Sequence, residues 1–331
     1  MTRPALEGAN VLVTGGAGLV GSHIVDQLID QGAGEIRVLD NLARGSRANL
    51  AAALARRPIT FIEGDIRDPG TVMDAARGCG YVIHQAALRI TRCAERPREC
   101  VDTLVNGTLN VFEAAAAAGA RKVVYASSAS IYGAADVFPT DERHHPYNNR
   151  TLYGAAKLMN EGIARSFHNM YGLAAVGLRY FNVYGPRMDA AGAYTEVLVR
   201  WLECITEGRR PLIHGDGSAT MDFVYAADVA RANVLALQSD RVDDVYNIAS
   251  GREIPLLHLW RALQRVTGAF DLEPDFLPAR RVNPVPRRLA DTRRARDEMG
   301  FSADVQLEEG LRQLVSWWQE SVGKRSDKPV R

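Results

Sequence analysis

The stretch Asn10–Val25, NVLVTGGAGLVGSHIV, constrains the fold of this chain more than any other. Val11, Leu12 and Val13 form a short β-branched and aliphatic run that ends at Gly15-Gly16. After it, Leu19, Val20, Ile24, Val25 and Leu28 recur at helical spacing. The pattern predicts a strand, a tight turn and a helix. Gly15, Gly18 and Gly21 fall in a G-x-x-G-x-x-G run, where the missing Cβ lets the backbone turn sharply and lets a ligand and the next strand come close. Amide N–H groups at the start of such a helix face outward with the positive end of its dipole, which suits a pyrophosphate.

A glycine run by itself also occurs in plain turns between a strand and a helix. The second strand, read at Glu35–Leu39, sharpens the reading because it ends at Asp40, at roughly the 20-residue offset expected of a ribose-binding acid. A carboxylate there accepts hydrogen bonds from both adenosine ribose hydroxyls and repels a 2′-phosphate, so NAD is favoured over NADP. Arg44 and Arg47 lie just beyond and are compatible with that phosphate, so the preference is not absolute.

The 331 residues, 47% of them hydrophobic and 24% charged, suffice for a buried core and for one large domain with a lobe, or two domains. A net charge of +1 provides no global field to gather nucleic acid or an anionic membrane. No uninterrupted apolar stretch reaches about 18 residues, and the start MTRPALEGA carries no apolar signal segment. A soluble, cytoplasmic protein without nucleic-acid or membrane partners is expected. Cys79, Cys93, Cys100 and Cys204 show no C-x-x-C spacing with histidine partners and read as buried or idle thiols. His144 and His145 sit in the polar, proline-broken loop Phe138–Arg150, read as solvated, and suggest no metal site.

After Asp40 the chain alternates. A helix is read at Ala48–Ala55 and a third strand at Ile59–Glu63, closing on Gly64-Asp65-Ile66. Asp65 either hydrogen-bonds an adenine amine, with Ile66 covering the ring, or caps the next helix. A fourth strand, Tyr81–His84, ends in the small Ala86-Ala87, where a cofactor backbone has to pass. A helix over Val101–Ala118, a strand over Lys122–Tyr125 running into Ala126-Ser127-Ser128-Ala129-Ser130, a helix over Leu152–Tyr171 and a strand over Ala174–Leu178 complete the series. Strands alternating with helices imply an α/β fold with a doubly wound parallel sheet, which binds ligands off the carboxyl ends of its strands. Residues 1–178 read as the cofactor-binding domain, with a segment near 220–250 that returns to it through a strand at Val245–Ile248. Residues 179–331 read mainly as a smaller, interleaved C-terminal substrate-binding lobe.

Tyr153 and Lys157 share a helix face at i, i+4, with small residues between them, and Ser128 ends a neighbouring strand. A tyrosine of ordinary pKa near 10 is ionised about one time in a thousand at pH 7. The Lys157 ammonium and a positive nicotinamide ring favour the phenolate, which makes Tyr153 a base for a substrate hydroxyl, with Ser128 bonded to the same oxygen.

The runs TGGAGLVGSHIV, GDI, HQAA, SSASIYG, YGAAK, LRYFNVYGPR, GDG and DFVYAADVARA together resemble the extended short-chain dehydrogenase/reductases. Within that family the chain is similar to the nucleotide-sugar 4-epimerases of the UDP-galactose 4-epimerase type, over nearly its whole length. The resemblance implies a Rossmann-type sheet and Ser128, Tyr153 and Lys157 as catalytic residues. It also implies an NAD site of Gly15, Gly18, Leu19, Val20, Gly21, Asp40, Asn41, Asp65, Ile66, Ala86, Ala87, Tyr153, Lys157 and Tyr180, with Arg89 near the cofactor phosphates. Asn182 is implied at the substrate diphosphate.

The departures concern the substrate. Met221 stands where the family usually has an arginine for the substrate phosphates, and Arg281-Val282-Asn283-Pro284-Val285 replaces an R-P-G-D-V run. Arg281, Arg287 or Arg288 is a candidate diphosphate clamp, set against a reading as plain solvated cations. Arg187 and Tyr194-Thr195-Glu196 are candidates for sugar contacts, beside Ser128 and Tyr153 themselves. The implied activity is epimerisation of a UDP-hexose at C4, with hydride passing to bound NAD and back. A UDP-glucuronate epimerase, with arginines and Ser127 or Ser130 on the carboxylate, is an alternative, as is a related decarboxylase or reductase. Dehydratases of the family carry an Asp-Glu pair where this chain has Ala129-Ser130. A non-catalytic NAD sensor stands apart from all of these and conflicts with an intact triple. Relatives pair through the helices matching Val101–Ala118 and Leu152–Tyr171, so a homodimer is expected by analogy.

Overall fold

The computed structural model describes residues 6–190, 196–279 and 285–326, with side chains to residue 321. Its glycine-punctuated start forms strand β1 (Val11–Thr14), a turn in which Gly15 has φ +68°, and helix α1 (Leu19–Asp30). Then come β2 (Ile36–Asp40), α2 (Ala51–Arg56), β3 (Thr60–Glu63), α3 (Pro69–Ala76), β4 (Tyr81–His84), α4 (Ile90–Glu95), α5 (Pro97–Val101), α6 (Gly107–Ala117), β5 (Lys122–Ser128), α7 (Leu152–Tyr171) and β6 (Ala174–Tyr180). The lobe follows with β7 (Asn182–Tyr184), α8 (Val197–Thr206), β8 (Leu212–His214), β9 (Thr220–Met221) and β10 (Phe223–Tyr225). Helix α9 (Ala226–Gln238) and β11 (Asp243–Ile248) return to the sheet. The chain then leaves it through β12 (Ile254–Pro255), α10 (Leu256–Thr267), β13 (Asp275–Leu277), α11 (Arg293–Met299) and α12 (Leu307–Ser326).

Seven strands form a parallel sheet in the order β11-β6-β5-β4-β1-β2-β3. Strands β1, β4 and β5 are buried along their whole length, because helices cover both faces. On one face Ile24, Val25 and Leu28 of α1 meet Val229, Ala232 and Leu235 of α9 in a shared core. On the other, Val72 and Ala75 of α3, Phe112 of α6 and Phe167 of α7 pack together. A separate core of Tyr184, Trp201, Trp260, Leu311 and Trp318 holds the lobe. From β1 the chain winds outward through β2 to β3 and then crosses back to β4, so the crevice between β1 and β4 opens at their carboxyl ends.

Four local readings shift. Strand β5 runs on to Ser128, because Ala126, Ser127 and Ser128 pair with Leu178, Arg179 and Tyr180 of β6. The helix read over Val101–Ala118 begins at Pro97 and passes through a wider π-helical turn at Asp102–Asn106. The helix after Asp40 starts as a 3₁₀ turn at Arg47–Leu50, capped by Ser46, before α2. Asp65 does not cap the helix after it: Asp68 does, accepting from the Gly70 amide at 3.1 Å, with Pro69 at the first helical position.

Candidate active site

At the crevice the first strand turns on glycines that no other residue fits. A Cβ on Gly15 would lie 2.6 Å from the Ala86 nitrogen, and one on Gly21 would lie 2.2 Å from the Gly15 carbonyl oxygen. Beneath them His84 ties β1 to α6. The Thr108 hydroxyl donates to the Leu104 carbonyl at 2.6 Å, so it accepts from His84 Nε2 at 3.0 Å, and His84 Nδ1 in turn accepts from the Thr14 hydroxyl at 2.7 Å. The imidazole is neutral, and burial pushes its pKa down to about 3.

Above the cradle lies a cleft of about 380 Å3, lined by Gly15, Gly18, Leu19, Val20, Gly21, Asp40, Asn41, Asp65, Ile66, Ala86, Ala87, Arg89, Ser128, Tyr153, Lys157, Tyr180 and Arg187 among others. The Asp40 carboxylate, raised by burial, accepts from the Ala17 amide at 2.9 Å and the Leu42 amide at 2.8 Å, which fixes it at the end of β2 with lone pairs to spare. Asp65 accepts from Asn41 Nδ2 at 2.8 Å and from Arg67, whose guanidinium holds its carboxyl down at about 2. A glycine turn filled by any Cβ, a helix N-terminus and two fixed acids along one edge match a dinucleotide in shape and donor set.

At the other end of the cleft Tyr153, in the first turn of α7, and Ser128, at the end of β5, line the same wall, with the Ser128 hydroxyl near enough to the phenol to favour its ionised form. Thr151 caps that helix by accepting from the Gly154 amide at 3.1 Å. Lys157, 2% exposed, donates from Nζ to the Ala126 carbonyl at 2.7 Å and lies 5.9 Å from the Tyr153 ring centroid. Here the expected electrostatics need correction. Burial raises Tyr153 to about 12, opposed by the Ser128 hydroxyl, and Lys157 is not among its leading influences. Burial also lowers Lys157 to about 8. The protein alone therefore keeps the phenol protonated.

Behind the triple runs a buried polar network absent from the sequence reading. Ser127 donates to Glu161 at 2.6 Å; Arg179 grips Glu161 through Nε at 2.8 Å and Nη2 at 2.7 Å, and its Nη1 donates to the Tyr132 hydroxyl at 2.8 Å. Tyr132 donates to Asn247 Oδ1 at 2.6 Å, which links β5, β6, β11 and α7. A signal was present: Glu161 repeats the i, i+4 step from Lys157, and Arg179 is a charge inside an apolar strand. Tyr180 donates to Gln85 at 3.1 Å and accepts from Asn233 Nδ2 at 2.8 Å, two partners likewise missed.

The remaining candidates scatter. Arg89 pairs with Glu196 at 2.9 Å and Asp189 at 3.3 Å across the mouth of the cleft. Arg187, with φ +70°, turns to Asp26 at 2.7 Å. Asn182 begins β7 and donates its backbone N–H to the Asp222 carbonyl at 3.0 Å. Arg287 is an exposed cation paired with Glu253 at 2.7 Å, whereas Arg288 is buried. Tyr194, Thr195 and Arg281 lie outside the described residues. The reading of His144 as solvated fails: its side chain is 3% exposed, sits edge-on to Tyr132 and meets Asp136 at 2.7 Å, with His145 3.4 Å from the same carboxylate. All four cysteines are buried and unbridged.

A doubly wound parallel sheet with a glycine cradle at its crevice, and a serine, tyrosine and lysine converging on the same edge, defines the extended short-chain dehydrogenase/reductase class. More narrowly, the chain belongs to the NAD dependent epimerase/dehydratase family, whose model matches residues 11–249. It is 35% identical to the UDP-glucose 4-epimerase of Mycolicibacterium smegmatis, over 93% of this chain and 98% of that protein. The UDP-N-acetylglucosamine 4-epimerase of Methanobrevibacter ruminantium, solved with UDP-N-acetylmuramic acid, superposes with a TM-score of 0.89 at 33% identity, covering 95% of this chain and 99% of that one. The UDP-glucose 4-epimerase of Thermotoga maritima, solved with UDP-glucose, does so with a TM-score of 0.88 at 34% identity and the same coverage.

Proposed function

We propose that the chain is an NAD-dependent nucleotide-sugar 4-epimerase acting on a UDP-hexose through a transient 4-keto sugar. The observation that carries this reading is the convergence of Ser128, Tyr153 and Lys157 on the cleft that the glycine cradle also lines, with Tyr153 and Lys157 on one helix face. NAD, when bound, supplies the hydride acceptor and donor and a positive ring that favours the phenolate. Gly15, Gly18 and Gly21 would let its diphosphate approach the amides of the first turn of α1, the Gly15 and Gly18 amides being spent on the Leu39 and Gly15 carbonyls, and Asp40 and Asn41 would take the adenosine ribose. Asp65 and Ile66 take the adenine, Ala86 and Ala87 leave room for its backbone, and Tyr180 braces the far wall.

Tyr153 removes the proton from the sugar O4 and later restores it, while Ser128 keeps that oxygen in line. Lys157, anchored on Ala126, contributes its charge to the pocket that holds the tyrosine oxygen. Burial of the triple excludes water from the transient ketone. Asn182 and the arginines of the lobe hold the nucleotide.

Two alternatives lose ground. A uronate substrate loses one proposed partner, since the Ser127 hydroxyl is spent on Glu161. Dehydration lacks an acid pair after Ser128, where Ala129-Ser130 stand. Residues 1–178, with the returning segment 220–250, serve as the cofactor-binding domain, and 179–331 mainly as the substrate lobe. Among the described residues no helix is long and apolar enough to cross a membrane. Four unbridged thiols are in keeping with a reducing cytoplasm. Exposed Val101, Leu152, Leu158 and Met159 support a homodimer through the helical stretch Val101–Ala118 and α7.

The test is to incubate the purified protein with a panel of UDP-sugars and no added NAD, and to follow axial/equatorial interconversion at C4 by NMR. Interconversion is expected; a stoichiometric demand for NAD(H), or a 6-deoxy product, overturns the assignment.

A further inference from the structure

Arginines around the junction of lobe and sheet face acids: Arg287 meets Glu253 at 2.7 Å, Arg179 meets Glu161 at 2.7 Å and Arg293 meets Asp291 at 2.5 Å. Arg288 does not. It is 7% exposed, its Nη1 donates to the Ala129 carbonyl at 2.7 Å, and no carboxylate among the described residues comes within ion-pair reach of it. Burial alone drives its pKa down, to about 10, with no acid pulling it back. The buried acid on the adjoining strand is already committed. Asp222 Oδ1 accepts from the Ser250 amide at 2.8 Å and hydroxyl at 2.7 Å, and Oδ2 accepts from the Gly251 amide at 3.0 Å and the Ala290 amide at 3.3 Å. A guanidinium carries five N–H donors, so this one, with a single protein acceptor, is poised for an incoming anion.

Its position brings it to the catalytic turn. The backbone of Arg288 donates to the Thr220 carbonyl at 3.0 Å, and Thr220 pairs with Arg287, which sets Arg288 beside the apolar Met221. The carbonyl it touches belongs to the residue after Ser128. The Arg288 backbone is thus held by the strand at Thr220–Met221 while its guanidinium reaches the turn that follows the catalytic Ser128.

We propose that Arg288 is the receptor for an oxyanion of the sugar nucleotide, either a phosphate of the diphosphate or a carboxylate on the sugar, gripped by the guanidinium edge not used on Ala129. This rests on the sugar-nucleotide reading of the site. The fork matches two oxygens of either group, and a buried, water-poor setting strengthens the pair.

The test measures binding of UDP, uridine, UDP-glucose, UDP-glucuronate and inorganic pyrophosphate by calorimetry to NAD-loaded wild type, Arg288→Met and Arg288→Lys, with NAD content and thermal midpoint recorded for each. Since Arg288 answers no acid in the fold, Arg288→Met is expected to keep its NAD and its midpoint. If the phosphate is the ligand, Arg288→Met weakens UDP and pyrophosphate by about 10- to 100-fold and leaves uridine unchanged. If the carboxylate is the ligand, UDP is unchanged and the preference for UDP-glucuronate over UDP-glucose disappears. Arg288→Lys, which keeps the cation without the fork, falls between the other two proteins and serves as the test should the methionine variant not fold. Wild-type affinity for all five ligands in both folded variants, or in the lysine variant when it alone folds, overturns the proposal. Wild type that binds pyrophosphate through Arg288 but no UDP-sugar overturns the sugar-nucleotide reading and leaves the anion site standing.

Discussion

The cofactor half and the substrate lobe are each shaped to hold an anion, and they do it by opposite means. Between β1 and α1 the donors are backbone amides, exposed by a turn that admits only glycine: Cβ atoms at Gly15 and Gly21 would strike backbone at 2.6 and 2.2 Å. In the lobe the donor is a side chain, Arg288, brought against Ala129 from 159 positions away in sequence. A backbone site is specified within a few consecutive residues and tolerates almost no substitution. A side-chain site is assembled from distant segments, so its residue is not fixed by its neighbours in sequence.

The largest effect that separates chemistry from binding is expected at Tyr153. Tyr153→Phe should lower kcat by about 10²- to 10⁴-fold while NAD content and UDP affinity hold, as measured by turnover, bound-nucleotide release and calorimetry. Breaking the network behind the triple comes next. Arg179→Met leaves Glu161 charged and buried, and a loss of about 3–5 kcal/mol in urea unfolding is expected, with Ser127 released from its partner. To break the comparison itself, Gly15→Ala should strip NAD from the purified protein while Arg288→Met retains it; equal NAD loss in both variants would remove the distinction between the two halves.

A smaller effect depends on pH. The folded pKa of His84, about 3, lies below its ordinary 6.5, so between these values the unfolded chain binds the proton that the folded chain refuses. Stability from this group is complete above about pH 6.5 and is lost as pH falls toward 3, by up to about 1.4 kcal/mol per pH unit. The slope of unfolding free energy against pH between 6 and 4 should flatten in His84→Gln. Lys157, at about 8, has the same sign at higher pH: between about 8 and 10.5 stability rises with pH, and the charge beside Tyr153 is lost, so kcat should fall on that limb. The smallest effect is at the α7 cap, where Thr151→Ala should cost about 1 kcal/mol with turnover little changed.

What the sequence discloses follows the same division. Helix α7 is legible from Leu152 to Tyr171 because its stops are local, a capping Thr151 and a Gly172 at φ +67°. The glycine turn, Asp40 and the i, i+4 pair Tyr153 and Lys157 are legible for the same reason. Strand β5 reads short because Ser127 and Ser128 are typical of loops, and only pairing with β6 makes them strand. Asp68, not Asp65, caps α3, and its local mark is Pro69 at the first helical position. His144 reads as solvated because nothing near it in sequence announces Tyr132 as its neighbour. Spacing reveals the lysine beside the phenol but not the burial that, in the protein alone, holds the phenol protonated.

The most direct measurement follows one atom. UDP-glucose carrying deuterium at C4 is incubated with the purified protein and no added NAD, and the product is read by NMR and mass spectrometry. Hydride borrowed by a bound cofactor and returned to the opposite face predicts UDP-galactose with the deuterium kept at C4. Product that carries protium at C4, or a label that stays in released NADH, contradicts the account.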